Sequence, residues 1–372
     1  MALPKLFSKR FLGIDVGTSA VRIVELEKSG HNIELTNYGE IKTANTERET
    51  LRVTKKAMAF FSVQEVSDII KAIMEEAKIK TRQCAFSIPD FSTFFTNFRL
   101  PPMTKAELSE AVMFEARQHI PLPLESVTVD WQLVGGQFGS ASQGAASELE
   151  IVLAAIPNEI VQQYKEVARA ANLEVVSLDA EVFGLIEALV PDGQTQVVCL
   201  VDIGTQSTVC SIAEGKVLKT SHSFDIAGSY VLEHALGKLP LDAETIREIK
   251  KKFGLKFFSM AKNEHANMIR GAFLSALESI AKEVGLMIQG YGRLDNKEIS
   301  KIIVSGGTAL IPGVVELFKN RFKCSVEIAN PFKDIIYPSM LVPELLKIAP
   351  TYTVAIGMAR RGLMAQQAAK KE

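Results

Sequence analysis

Two stretches of the chain share one pattern of apolar and polar positions. Phe11 to Leu26 runs as an apolar strand into Asp15, turns at Gly17-Thr18-Ser19, and returns with polar and apolar residues alternating. Val197 to Ile212 repeats the plan: an apolar run into Asp202, a turn at Gly204-Thr205-Gln206-Ser207, then Val209 to Ile212. Turns at Ser29-Gly30 and at Glu214-Gly215-Lys216 extend each hairpin into a meander. The stretches lie about 190 residues apart, beyond the roughly 20–50-residue period of a solenoid, so they read as the openings of two related domains. Each puts an acidic group and backbone N–H donors at the mouth of a hairpin.

Between them the pattern changes. Val66, Ile69, Ile70, Ile73, Met74 and Ala77 fall at helical spacing and predict a helix over Gln64–Lys78. Short apolar strands are predicted over Gln83–Pro89 and Phe94–Leu100. Pro101-Pro102 then breaks the chain, and Thr104 with Glu107 forms a capping box for a helix to about His119, ended by Pro121 and Pro123. Val127–Val134 and Leu149–Ile156 read as strands around a Gly/Ser/Ala/Gln loop, and Asn158–Ala171 as a helix. This order describes an inserted α+β module over 83–176.

Beyond Ile226, helices are predicted over Asp242–Phe253 and Asn263–Gln289. Ile299–Ser305 is an apolar strand ending in Gly306-Gly307-Thr308. Pro312 marks the start of a helix through Val314–Phe322, and Tyr352–Ala369 is a last helix.

A chain of 372 residues is long enough for two or more domains. Its 42 basic and 43 acidic residues nearly cancel, and no basic stripe interleaves with aromatics, so no nucleic-acid-binding field is expected. No apolar run approaches the ~20 residues of a membrane span. Met1 to Phe11 lacks the apolar core and cleavage site of a secretory signal. Cys84, Cys199, Cys210 and Cys324 are scattered without a CxxC or a His cluster, which predicts reduced thiols in a cytoplasmic protein and no structural zinc.

Nucleoside triphosphates need backbone N–H donors unobstructed by side chains, and their Mg²⁺ needs carboxylates, usually through water. Three segments offer this: Asp15 with Gly17-Thr18-Ser19, Asp202 with Gly204-Thr205-Gln206, and Ser305-Gly306-Gly307-Thr308. Each alone is a common hairpin or strand–helix junction. Together, with two of them duplicated, they point to a nucleotide.

Here the chain resembles a family. Ile14-Asp15-Val16-Gly17-Thr18 is similar to the phosphate-1 motif of the superfamily of actin, DnaK-type chaperones and sugar kinases, and Val201-Asp202-Ile203-Gly204-Thr205 to phosphate-2. Ile303 to Gly313 resembles the adenosine motif. Leu178 to Leu185 and Tyr352 to Arg361 resemble the two connecting helices. The insertion lies where FtsA and PilM proteins carry an extra subdomain. Lys5 to Leu26, Arg99-Leu100-Pro101-Pro102-Met103 and His119-Ile120-Pro121 are similar to the PilM family of type IV pilus assembly proteins.

The resemblance implies an α/β, actin-like ATPase fold of two duplicated RNase H-like domains with an inserted α+β subdomain. The first domain would comprise 1–82, 177–196 and 335–372, the insert 83–176, the second domain 197–225 with 285–334, and its helical subdomain 226–284. It implies ATP and Mg²⁺ as cofactors. Asp15 and Asp202 would hold the metal through waters; Gly17, Thr18, Ser19, Gly204, Thr205 and Gln206 would cradle the β- and γ-phosphates. Gly306, Gly307 and Thr308 would face the α-phosphate and sugar. Glu244 with Arg247, or Glu248 with Lys251, would contact ribose or adenine, unless that helix face is simply solvated and salt-bridged. Glu181 is the matching candidate for orienting water. The single glycine of phosphate-2, and Val209 where an acidic residue often stands, argue for slow turnover or binding alone.

The implied partner is the cytoplasmic N-terminal tail of PilN, in a groove of the insert lined by Phe94, Phe95, Phe98, Leu100, Val112 and Met113, although in a small module any single one of these residues is more often core. Further implied contacts are the PilN/PilO inner-membrane complex, pilus motor ATPases and other copies of the chain, with membrane contact only indirect. An FtsA-like division scaffold and a small-molecule kinase are the competing readings. The first would need an amphipathic tail and the second a polyol-binding constellation, and neither is apparent.

Overall fold

The computed structural model describes residues 9–42, 62–138, 147–228 and 264–368. Strands β1 (Lys9–Val16), β2 (Ala20–Ser29) and β3 (Asn32–Lys42) form the predicted antiparallel meander. Phe11, Leu12 and Ile14 are fully buried, as a strand covered on both faces requires. Helix α1 (Val63–Glu76) opens on a capping box: Ser62 Oγ accepts the Glu65 amide at 3.1 Å, and Glu65 Oε2 accepts the Ser62 amide at 2.9 Å. Its apolar stripe, Val66, Ile70, Ile73 and Met74, is buried. β4 (Gln83–Ile88) follows.

The insert comprises β5 (Phe94–Leu100), α2 (Lys105–His119), β6 (Val127–Gly135) and β7 (Leu149–Pro157). Its antiparallel sheet has the order β5-β7-β6. Leu108, Val112 and Ala116 of α2 share a core with Leu149, Ile151 and Leu153. The capping box at Thr104 and Glu107 forms, with Glu107 Oε2 accepting the Thr104 amide at 2.9 Å.

Helix α3 (Asn158–Ala170) and β8 (Glu174–Ala180) then return to the first sheet, whose order is β3-β2-β1-β4-β8. The expected insert boundaries of 83–176 are therefore too wide. β4 pairs in parallel with β1 and β8, and α3 buries Val167 and Ala168 in one core with Ile70 and Ile73 of α1. The reason is burial: Cys84, Ala85 and Phe86 are enclosed on both faces, which suits a central parallel strand. Leu178 to Ala180, expected in a connecting helix, finish β8, and α4 (Glu181–Leu189) begins at Glu181.

The second half repeats the first. β9 (Val197–Ile203), β10 (Thr208–Glu214) and β11 (Val217–Phe224) meander; α5 (Glu264–Asp295) leads to β12 (Lys301–Ser305), α6 (Val314–Arg321) and β13 (Ser325–Ile328). The order β11-β10-β9-β12-β13 matches the first sheet position for position. A 3₁₀ turn at Gly307–Leu310 separates β12 from α6, and Gly313 at φ 98° is the N-cap, so Pro312 lies before the helix and not in its first turn. The helix expected over 242–253 lies outside the described residues.

Finally α7 (Val342–Ile348), absent from the pattern reading, leads through a 3₁₀ turn into α8 (Thr353–Ala368). α8 crosses α4 at a glycine pair: a Cβ on Gly357 would lie 1.9 Å from the Gly184 carbonyl oxygen. These are the two helices between the sheets.

Candidate functional site

The two hairpins build one turn twice. The Gly17 amide donates to the Ala20 carbonyl at 3.0 Å, and the Gly204 amide to the Ser207 carbonyl at 3.0 Å. Among the described residues no backbone carbonyl takes the amides of Ser19, Thr205 or Gln206 at the turn tips. Asp15 and Asp202 end the central strands β1 and β9. Each has a serine on the neighbouring parallel strand: Ser87 Oγ donates to Asp15 Oδ1 at 2.8 Å, and Ser305 stands in register beside Asp202, with its Oγ 3.0 Å from the Pro350 carbonyl oxygen. The antiparallel partner differs. Opposite Asp15 stands Arg22, with Nη1 3.5 Å from Oδ2; opposite Asp202 stands Val209.

The third segment closes onto the second. Gly306, at φ 85°, donates its amide to the Pro350 carbonyl at 3.1 Å, and a Cβ there would sit 2.4 Å from the Ile203 carbonyl oxygen. Thr308 Oγ1 donates to the Gly204 carbonyl at 3.3 Å, which ties the two glycine segments together.

One cleft brings together Asp15, Gly17, Thr18, Ser19, Glu181, Asp202, Gly204, Thr205, Gly306 and Gly307. Two predicted residues take other places: Gln206 is not part of the lining, and Thr308 is buried behind it. Glu244 and Arg247 lie outside the described residues. The pattern reading missed Ser87, Arg22, Asp90 and Tyr164. Ser87 carried a signal, a lone hydroxyl between Phe86 and Ile88 of a buried strand. Asp90 and Tyr164 carried none, since only the fold brings them near Glu181.

Four acids share this region, and each is held above the ordinary carboxylate range. Burial is the main cause throughout. Asp202 rises to about 6, with the Ser305 hydrogen bond opposing and Asp15 adding. Asp15 rises despite Arg22 and Ser87. Glu181 is pushed well up by burial and then by Asp15, Asp90 and Asp202; Asp90 rises to about 8. Buried like charges must either take up protons or be matched by a cation. Among the described residues no group of three or more His, Cys, Asp or Glu forms a metal cage. Two carboxylates lining one cleft beside turn amides instead suit a hydrated Mg²⁺ held through its waters.

The candidate peptide residues do not form one surface. Phe98, Leu100 and Val112 are buried in the insert's own core, with Phe98 stacked on His119 at 5.1 Å, so they cannot line an open groove. Phe95 packs edge-on against Phe183 of α4 at 6.2 Å; Met113 is half-buried and Phe94 exposed. Apolar residues of a module this small are needed to fill it. An open groove lies instead on the sheet face turned away from α2, between β6 and β8, with Thr128, Asp130, Ile156, Lys165, Val176 and Phe183 in its walls.

Comparison with known proteins agrees with this geometry. The chain is 22% identical to a protein solved as a PilM-PilN type IV pilus biogenesis complex, with a TM-score of 0.78 over 96% of this chain and 99% of that one. MreB5 of Spiroplasma citri, solved bound to ADP, is 14% identical with a TM-score of 0.52, covering 98% of this chain and 99% of its own. The cell division protein FtsA of Streptococcus pneumoniae serotype 2 (strain D39) is 19% identical over 347 residues, 86% of this chain and 75% of its own. The fold is thus the actin-like ATPase fold. The family model for the type IV pilus assembly protein PilM matches residues 13–363, and the chain belongs to that family.

Proposed function

We propose that the chain is an ATP-binding scaffold of type IV pilus assembly that docks the cytoplasmic N-terminal tail of PilN. One observation carries the nucleotide half: Asp15 and Asp202, each ending a buried strand, meet in one cleft beside two glycine turns. Gly17, Thr18 and Ser19 hold the β- and γ-phosphates from one side, and Gly204 and Thr205 from the other. Gly306 and Gly307 face the α-phosphate and sugar, and Glu244 with Arg247 the ribose or adenine. Bound Mg²⁺ neutralises phosphate charge, and Asp15 and Asp202 hold it through its waters. Glu181 orients water toward the terminal phosphate, and turnover is slow. The ADP named with the Spiroplasma citri protein supports reading this cleft as a nucleotide site.

ATP bridges both halves and shifts their closure through its different affinity for the open and closed states. Calorimetry with Mg-ATP tests the site: Asp15→Ala weakens binding about tenfold, the loss of one charge-assisted contact, and an unchanged affinity removes Asp15 from it.

The PilN named in the related complex supports a peptide partner. We assign the docking site to the groove between β6 and β8, each an edge strand of its sheet. Edge strands offer unpaired backbone groups to an extended peptide. A chain docked on the PilN tail would sit in the cytoplasm at the inner membrane, against the PilN/PilO platform; no helix among the described residues is long and apolar enough to cross a membrane. Pulldown with the PilN tail tests this. Val176→Glu and Phe183→Glu abolish capture; capture that survives both substitutions rejects the groove.

A further inference from the structure

The loop leading from the first sheet into the insert buries an acid that no motif explains. Asp90 opens the short 3₁₀ turn between β4 and β5, and it is 3% exposed. Its Oδ1 accepts the Val182 amide at 3.3 Å, in the first turn of α4. Its own amide faces Glu181 Oε2 at 3.5 Å, a long contact aimed at the cleft carboxylate. Its Oδ2 is buried and has no hydrogen-bond partner among the described residues. The turn is tied down further: the Ser92 amide donates to the Pro89 carbonyl at 3.0 Å, and Thr93 Oγ1 to the same oxygen at 3.3 Å.

An unpartnered, buried carboxyl oxygen is costly and persists only where something outweighs it. Placed here, Asp90 does two things at once: it anchors the first turn of α4, and it faces its amide toward the side chain that α4 sends into the cleft. We propose that Asp90 is the positioning residue for Glu181, fixing that carboxylate toward the terminal phosphate and joining it mechanically to the start of the insert. This rests on the cleft being an ATP site. Asp90 touches no substrate; it acts through Glu181. Burial, with Asp202 adding and the Val182 amide opposing, raises its carboxyl to about 8, and the neutral amide of Asn has the same shape and can take its place.

The test measures two quantities on the full chain: Mg-ATP affinity by calorimetry, and turnover as phosphate released from ATP and water. Asp90→Ala leaves affinity within about threefold and lowers turnover about tenfold to a hundredfold, the range of a misplaced catalytic group. Asp90→Asn, which keeps the acceptor for the Val182 amide and its own backbone N–H, holds turnover within about threefold of wild type. In the Glu181→Ala background, Asp90→Ala has no further effect, because there is nothing left to position. Should Asp90→Ala not fold, Asp90→Glu displaces the same carboxyl by one methylene and is expected to lose turnover alike.

Wild-type turnover in Asp90→Ala overturns the proposal, as does equal loss in Asp90→Asn, or an additive loss on top of Glu181→Ala. A wild-type chain that binds Mg-ATP but never releases phosphate overturns the positioning role alone. A wild-type chain that does not bind Mg-ATP overturns the ATP site and this proposal together.

Discussion

The two halves are one architecture with two different solutions for a buried acid. In both, an antiparallel meander is extended by parallel strands in the same order, a Gly turn closes on the carbonyl three residues on, and a serine stands beside the aspartate on the adjacent parallel strand, in the first half within hydrogen-bond distance. The first half adds its own cation: Arg22 lies against Asp15 and also bonds Glu40 at 2.7 Å. The second half puts Val209 at that place. Asp15 thus has an ion-pair partner in the protein, while Asp202 has none among the described residues and feels Arg22 only at longer range. If the cleft takes Mg-ATP as proposed, this asymmetry would make the second half depend more on the incoming metal, and the first half a site held ready by the fold.

The largest expected effect breaks that comparison directly. Asp202→Ala lowers Mg-ATP affinity about thirtyfold or more, some 2 kcal/mol, whereas Asp15→Ala costs about tenfold because it frees Arg22 to meet phosphate. Calorimetry on both variants side by side checks it. Equal losses would mean that Arg22 does not distinguish the halves.

Most of this cleft was legible in the sequence because its residues sit at strand ends and glycine turns, where local patterning is strong. Asp15, Gly17, Asp202, Gly204 and Gly306, from the two duplicated turns and the third glycine segment, all line one cleft. What was not legible depends on contacts far apart in the chain. β8 hides in Glu174–Ala180, where buried and half-exposed residues do not alternate cleanly. Gln83–Ile88 reads equally well as an insert strand until it is paired with β1. Phe98, Leu100 and Val112 show why aromatic and aliphatic residues in a small module are ambiguous: the same side chains suit a groove or a core, and here the core takes them.

A smaller effect sharpens the comparison through pH. Asp202 has a folded-state value of about 6, above the ordinary carboxylate value near 4. A raised acid favours the folded state fully below its unfolded value, and the benefit is lost as pH rises through the folded one. The nucleotide-free protein therefore melts at lower temperature at pH 8 than at pH 5, and Asp202→Asn flattens the part of that slope that runs between about pH 4 and the folded value of about 6. In Asp15 the direct ion pair with Arg22 and the Ser87 hydrogen bond oppose the effect of burial, whereas Arg22 reaches Asp202 only at longer range, so Asp15→Asn flattens it less. Saturating Mg-ATP reverses the dependence, since a bound cation favours the charged carboxylates. A flat melting profile across that range in the nucleotide-free protein would show the acids to be matched already.

The narrowest contrast separates two neighbouring glycines that the sequence treats alike. At Gly306 the backbone is in the left-handed region, and an added methyl would stand 2.4 Å from the Ile203 carbonyl oxygen, at the end of the strand that bears Asp202. Both conformation and space forbid a side chain there, and the obstructing atom is backbone. At Gly307 an added methyl would meet only the Thr351 methyl at 4.0 Å, an ordinary contact. Gly306→Ala should therefore cost about 1–3 kcal/mol of stability, with a lower melting temperature. Gly307→Ala should change stability by less than about 0.5 kcal/mol, yet weaken Mg-ATP, because its surface lines the cleft. A stability loss at Gly307 as large as at Gly306 would mean that both glycines serve the fold. The cleft would then lose its adenosine side, and the contrast between a half that holds its own counter-ion and a half that waits for one would rest on the two aspartates alone.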